Sequence, residues 1–233
     1  MILLTGASSG LGKFLSNKFE NIQTLTRDNK VCDIINSGIE FDTIIHCAAS
    51  ISHASWDEVT YDYFDDNLML TRNILEIPHE KFIHISSIDI KRNSIYGTVK
   101  RISERIVASY TKNCLIIRPS GLIGNEMKTN TFKKIQLGQK IALTKNSLMN
   151  YVTYEDVYNL IKLDLDGIIT LTASEHISMQ EVSEIFKQNI EYGEIHYEID
   201  ISEDDKKLRR GYNLEVTSAE KIRNYLESYE EKT

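Results

Sequence analysis

Apolar runs of four to six residues alternate along the chain with stretches in which apolar residues recur at intervals of three and four. The first pattern suits strands buried on both faces and the second suits amphipathic helices. Their alternation predicts βα units feeding a doubly wound parallel sheet. Strands are expected over 1–5, 22–26, 31–32, 43–47, 82–85, 115–117 and 168–171, and helices over 11–19, 61–75, 96–110 and 155–163. After about residue 120 the chain turns polar and loop-rich, with a helix expected over 179–190, a strand over 194–199 and a last helix over 219–226. This predicts an α/β body of residues 1–120 with 150–172, and a small lobe of 121–149 and 173–233 over the carboxyl ends of the strands, where open α/β sheets bind ligands. Only Pro78 and Pro119 interrupt the pattern, and no repeat or linker is visible.

Composition narrows the function. A chain of 233 residues with 41% apolar positions fills a core of this kind. The 27 basic side chains against 34 acidic ones leave a net charge of -7, which argues against a nucleic-acid binder and for small-molecule partners. No run approaches the roughly 18 apolar residues of a membrane span. The opening MILL turns polar within a turn, so neither membrane nor export signal is expected and a cytoplasmic location is. Cys32, Cys47 and Cys114 form no CxxC and read as buried apolar residues in a reducing compartment. No His, Cys or carboxylate cluster has metal-ligand spacing, so no metal is expected.

The loop TGASSGLG follows the first strand directly and opens the first helix. Gly6 permits a sharp turn, Gly10 lets backbone approach a phosphate, and Gly12 lets the helix lie close on the sheet. Thr5, Ser8, Ser9 and Leu11 belong to the same phosphate cradle. The second strand ends in TLTRD, where a dinucleotide fold reads the adenosine ribose. Arg27 would pair with a 2'-phosphate and Asp28 would accept free ribose hydroxyls, so NADP is favoured, with NAD the alternative. Asp33, at the end of the expected third strand, is a candidate for the adenine amino group, or only a turn residue. Ser86 and Ser87 end the strand FIHI, and Tyr96 and Lys100 follow on a helix at a spacing that shares one face. An ammonium beside the phenol would lower a pKa ordinarily near 10 and make Tyr96 a neutral-pH acid/base, with Ser87 holding the substrate oxygen.

Together TGASSGLG, HCAAS, Asn67, the serine pair, YGTVK, Arg118-Pro119 in LIIRPSGLIG, YVTYEDV and LTASEHISMQEVSEIF resemble the short-chain dehydrogenase/reductases of the extended type, which include nucleotide-sugar epimerases, dehydratases and reductases. The resemblance implies a Rossmann fold with Tyr96 as acid/base and Lys100 also holding the nicotinamide ribose. It implies that Ser87 orients substrate, that Cys47, Ala48 and Ala49 line the cofactor pocket, and that Pro119 faces the carboxamide. Asn67 would steady the neighbouring strand. Homodimers built on the helices 61–75 and 96–110 are frequent in that family. The chain departs from it in length, in the nine positions between Ser87 and Tyr96, and in carrying Met149 and Asn150 where a diphosphate-clamping arginine is usual. Arg209 or Arg210 is a candidate substitute, although solvated surface is the plainer reading of both; His53 likewise reads as surface, and His46 and His84 as satisfied sheet residues. The expected activity is an NAD(P)-dependent nucleotide-sugar 4-keto reductase or epimerase. A dinucleotide-binding regulatory protein of the same fold is the alternative.

Overall fold

The structure, a computed structural model, describes residues 1–27, 30–50, 61–125, 127–201 and 215–230. The chain divides into two compact units, one of Met1–Arg118 with Leu160–Ile169, the other of Pro119–Asn159 with Thr170–Thr233.

The first unit begins β1 (Ile2–Thr5), α1 (Gly10–Ser16), β2 (Ile22–Leu25), α2 (Val31–Asn36) and β3 (Phe41–His46). It continues through α3 (Tyr61–Phe64), a π turn (Asp65–Met69), α4 (Leu70–Leu75), β4 (His79–Ile85), a 3₁₀ turn (Ile88–Lys91), α5 (Ile95–Tyr110) and β5 (Cys114–Pro119). After β6 (Gly121–Ile123), α6 (Thr131–Gln136), β7 (Leu148–Met149), β8 (Tyr151–Thr153) and α7 (Tyr154–Ile161), the chain forms β9 (Gly167–Leu171). A six-stranded sheet runs in the order β2-β1-β3-β4-β5-β9. Its pairings of β1 with β2 and β3, of β3 with β4, and of β4 with β5 are parallel. Leu3, Ile44, Phe82 and Leu115 are fully buried, as are their neighbours Leu4, Ile45 and Ile117, because helices cover both faces of such a sheet and each strand becomes a continuous apolar run. The order reverses between β1 and β3, which opens a crevice at their carboxyl ends.

One expectation in this unit fails, and another holds with a local change. Residues 31–32 are helix rather than strand: Val31, Ile34 and Ile35 recur at helical spacing and pack together on the core of β1, β3 and β4. The helix expected over 61–75 is continuous in direction but widens into the π turn at Asn67. Asn67 Nδ2 donates to the Tyr63 carbonyl at 2.7 Å, and the Thr71 hydroxyl donates to the Asn67 carbonyl at 2.5 Å. Side chains take carbonyls that the backbone ladder would otherwise use, and the turn loosens there.

The second unit also holds β10 (Ile177–Ser178), α8 (Met179–Ile185) and α9 (Ser218–Glu230). Two-stranded pairings join β10 to β7 and β6 to β8. Its core centres on Phe132, whose ring meets Tyr151 at 5.2 Å, Phe186 at 5.2 Å and Tyr225 at 5.9 Å. The strand expected over 194–199 is not formed as a regular ladder: an isolated bridge joins Ile195 to Leu143, backbone hydrogen bonds tie Ile195 and Tyr197 to 142–148, and Ile195 is 56% exposed while Ile199 is buried. The helix expected over 179–190 stops at Ile185, and Lys187 turns left-handed at φ 53°. Among the described residues no helix is long and apolar enough to cross a membrane.

Candidate active site

The glycine loop lies at the crevice, and its glycines are required by contact. A Cβ on Gly6, whose φ is 75°, would stand 2.8 Å from the Ala48 nitrogen, and one on Gly12 would stand 2.2 Å from the Gly6 carbonyl oxygen. Backbone therefore touches backbone where β1 meets the segment after β3. The Thr5 hydroxyl ties the two together, accepting from the Ala48 N–H at 3.1 Å and sharing a hydrogen bond with His46 Nδ1 at 2.8 Å. Cys47, Ala48 and Ala49 are thus beside Thr5 and Gly6, with the Ser50 N–H held by Asn67 Oδ1 at 3.2 Å. Leu11 and Gly12 are buried in the start of α1; Ser9 occupies its N-cap without a side-chain capping bond, and Ser8 is exposed. Glycine at 6 and 12 lets the loop close tightly between β1 and α1, and the loop leads into the N-terminus of α1, the kind of turn that can take a pyrophosphate.

Ser87 ends the β4 segment and caps the 3₁₀ turn, its hydroxyl accepting from the Asp89 N–H at 3.1 Å. Ser94 caps α5 by accepting from the Gly97 N–H at 3.1 Å, which sets Tyr96 in the first turn of the helix. Ser87 lies close enough to Tyr96 to favour its phenolate, and Lys100 Nζ lies 5.9 Å from the Tyr96 ring centre. The lowering of the phenol expected from Lys100 is overturned. Burial pushes Tyr96 well above its ordinary value of 10, and Asp89 adds to the rise, while Ser87 opposes it. Lys100, itself buried, donates to the Ile85 carbonyl at 3.0 Å instead, and burial brings its ammonium down to about 8. The phenol is the stable form of Tyr96 here.

Beneath these groups His46 and His84 stack at 5.4 Å across β3 and β4. His46 is satisfied by Thr5 and, through Nε2 at 2.9 Å, by Thr71. Burial, then the Lys100 charge, brings it to about 3. His84 is buried as well, but neither ring nitrogen has a hydrogen-bond partner, contrary to its expected role as a satisfied residue. Burial keeps the Cys47 thiol protonated, raising it to about 12. Cys114 is buried, whereas Cys32 is exposed on α2, where the expected strand would have hidden it.

Sequence reasoning passed over Glu104, which is buried on α5. Its carboxylate accepts from the Ser86 hydroxyl and forms a two-pronged pair with Arg118. The available signal was its spacing of four from Lys100 and eight from Tyr96, the same helix face.

The remaining predicted residues lie apart. Arg27 stands just past β2, 91% exposed, with a 3.7 Å ion pair to Asp66. Asp33 is in the first turn of α2 rather than at a strand end, and exposed. Pro119 ends β5, where the second unit begins. Asn150, in place of the familiar arginine, is buried and structural: it bonds Ser120 and the backbone of Ala173 and Glu175. Asp28, His53, Arg209 and Arg210 lie outside the described residues. Among the described residues no group of three His, Cys, Asp or Glu side chains is placed to hold a metal ion.

A Rossmann-type sheet with a glycine cradle at its switch point defines a dinucleotide-binding class of protein. Residues 2–166 match the model of the NAD dependent epimerase/dehydratase family, and the chain belongs to that family. The fold is shared with dTDP-4-dehydrorhamnose reductase from Bacillus anthracis str. Ames, solved with NADP, at 16% identity and a TM-score of 0.76, over 97% of this chain and 98% of that one. UDP-glucuronic acid 4-epimerase from Bacillus cereus, solved with UDP-glucuronic acid and NAD, is similar at 17% identity and a TM-score of 0.73, over 98% and 99%. MoeE5, in complex with UDP-glucuronic acid and NAD, is similar at 14% identity and a TM-score of 0.77, over 100% and 99%. No curated protein sequence matches the chain.

Proposed function

We propose that the chain is a nicotinamide-dinucleotide-dependent oxidoreductase acting on a nucleotide-linked sugar, as a 4-keto reductase, with epimerisation the alternative use of the same groups. The observation that carries this reading is the placement of Lys100 Nζ 5.9 Å from the Tyr96 ring centre, one helical turn along α5, with Ser87 close enough to act on the phenol. Family membership supports the cofactor class, and similarly folded proteins that hold UDP-glucuronic acid support the substrate class.

The glycine cradle of Gly6, Gly10 and Gly12, together with Thr5 and Ala48, suits a dinucleotide, and a bound nicotinamide would supply hydride chemistry. Tyr96 moves the proton at its phenolic oxygen, Ser87 orients the substrate oxygen, and Lys100 offers an ammonium to ribose hydroxyls. Burial keeps the phenol protonated, so Tyr96 carries the proton that reduction of a carbonyl oxygen takes up. The exposed Arg27 guanidinium favours NADP over NAD.

Single-turnover reduction of nucleotide-linked 4-keto sugars by NADPH, followed by nicotinamide absorbance, tests the reading. Tyr96→Phe is expected to slow turnover by about 10²–10⁴ while dinucleotide binding persists. Full activity in that variant removes Tyr96 from the reaction. A wild type that binds dinucleotide and turns over no sugar of the panel makes this a regulatory dinucleotide-binding protein.

A further inference from the structure

We propose that Glu104 is a positioning residue of this site, whose carboxylate ties the Ser86–Ser87 strand end to α5 and supplies the countercharge to Lys100. The proposal rests on the reading of Lys100 as a cofactor contact. Glu104 is 5% exposed. Its Oε1 accepts from the Ser86 hydroxyl and from Arg118 Nε at 2.9 Å, and its Oε2 accepts from Arg118 Nη2 at 2.6 Å. Ser86 is also held through its backbone, donating to the Ile117 carbonyl at 2.7 Å. One carboxylate therefore joins α5, the end of β4 and β5. Ser87 is the next residue along from the one it grips, and Tyr96 and Lys100 share its helix.

The charge argument is independent of the mechanical one. Lys100 is faced by His46 and Cys47 from the β3 side, by His84 from β4, and by Glu104 from its own helix. Burial holds both histidines neutral and Cys47 as a thiol. Tyr96, whose ring centre lies 5.9 Å from Lys100 Nζ, is held as the phenol. Of Cys47 and Glu104, the two whose charge opposes the desolvation that brings Lys100 to about 8, Cys47 is held as the thiol, which leaves the Glu104 carboxylate. Arg118 pairs with that carboxylate through two hydrogen bonds, so neither charge is buried alone.

The experiment is calorimetric titration of the full chain with NADP and with NAD across the pH range in which Lys100 titrates. Wild-type affinity is expected to fall as pH rises through the Lys100 value, since only the ammonium carries the charge. Glu104→Gln, close in shape and uncharged, should move that midpoint down by about one pH unit, and Glu104→Asp should restore most of it. Should Glu104→Gln fail to fold, the paired change Glu104→Met with Arg118→Met removes the carboxylate without stranding the guanidinium, and the same downward shift is expected. Weaker binding at every pH with an unmoved midpoint overturns the countercharge proposal alone. A wild type that binds neither dinucleotide overturns the cofactor reading beneath it, and the proposal with it.

Discussion

The Asp89 carbonyl oxygen lies 2.3 Å from where a Cβ on Gly97 would stand. The 3₁₀ turn that follows Ser87 is therefore seated on the first turn of α5, directly beside Tyr96. Gly97→Ala must push that turn away, because the atom it meets is backbone and has no rotamer to yield. Overpacking of this kind costs about 1–3 kcal/mol. We expect lower thermal stability together with slower sugar reduction, measured on one preparation. Unchanged stability would mean that the turn and the helix part without cost.

Arg27 carries the expected cofactor preference. Its guanidinium is exposed and touches only Asp66, at 3.7 Å, among the ion pairs described for it. Loss of a hydrogen bond to a charged group amounts to about 1.5–3 kcal/mol. Arg27→Ala is therefore expected to weaken NADP binding by that amount and NAD binding little, read by competitive titration. Tighter binding of NAD than NADP by the wild type reverses the preference.

The histidine pair makes stability depend on acid. His46 sits at about 3 against 6.5 in an unfolded chain, and His84 also lies well below 6.5. Both folded values are depressed, so the unfolded chain takes up the protons first. Stability is full above 6.5 and declines as pH falls toward the folded value. Each histidine costs up to about 1.4 kcal/mol per pH unit in that window. Denaturant unfolding from about pH 7 to about pH 5 should show the decline, and His46→Gln should reduce its slope. Equal slopes in the two proteins would remove His46 as the cause.

In the second unit Lys221 Nζ lies 2.6 Å from Asp156 Oδ1, each side chain about one tenth exposed. Asp156 Oδ2 also accepts from the Thr153 N–H at 2.7 Å and hydroxyl at 2.8 Å, which fastens the start of α7. Lys221→Met leaves a buried carboxylate without its cation and should cost about 3 kcal/mol. Adding Asp156→Asn should recover much of that in thermal unfolding. A single variant as stable as wild type would show the pair to be neutral.

Helical recurrence of apolar residues located α5 to within one residue and placed Tyr96 and Lys100 on one face of it, because a spacing of four is a property of the helix itself. Strand positions were legible for the same local reason: a run such as Leu115 to Ile117 has no polar side to expose. Where a segment was short, period alone misled. Val31 and Cys32 look like a strand only until Ile34 and Ile35 are counted with them. At 194–199 the backbone does meet 142–148, but through an isolated bridge and scattered hydrogen bonds, a matter of the partner segment that the local pattern does not contain.

What the sequence determined by itself was local: the βα order, the glycine cradle and the tyrosine–lysine spacing, each set by neighbours a few residues apart. What the tertiary structure alone decided was which distant groups share a dielectric. Arg118 reaches Glu104 only because β5 pairs beside β4 under α5. Tyr96 is raised rather than lowered because burial and Asp89 act on it more strongly than Ser87 relieves it, and Lys100 spends its proton on the Ile85 carbonyl. Charge energies depend on distance and on the exclusion of water, and both are settled by the packing of elements far apart in the chain.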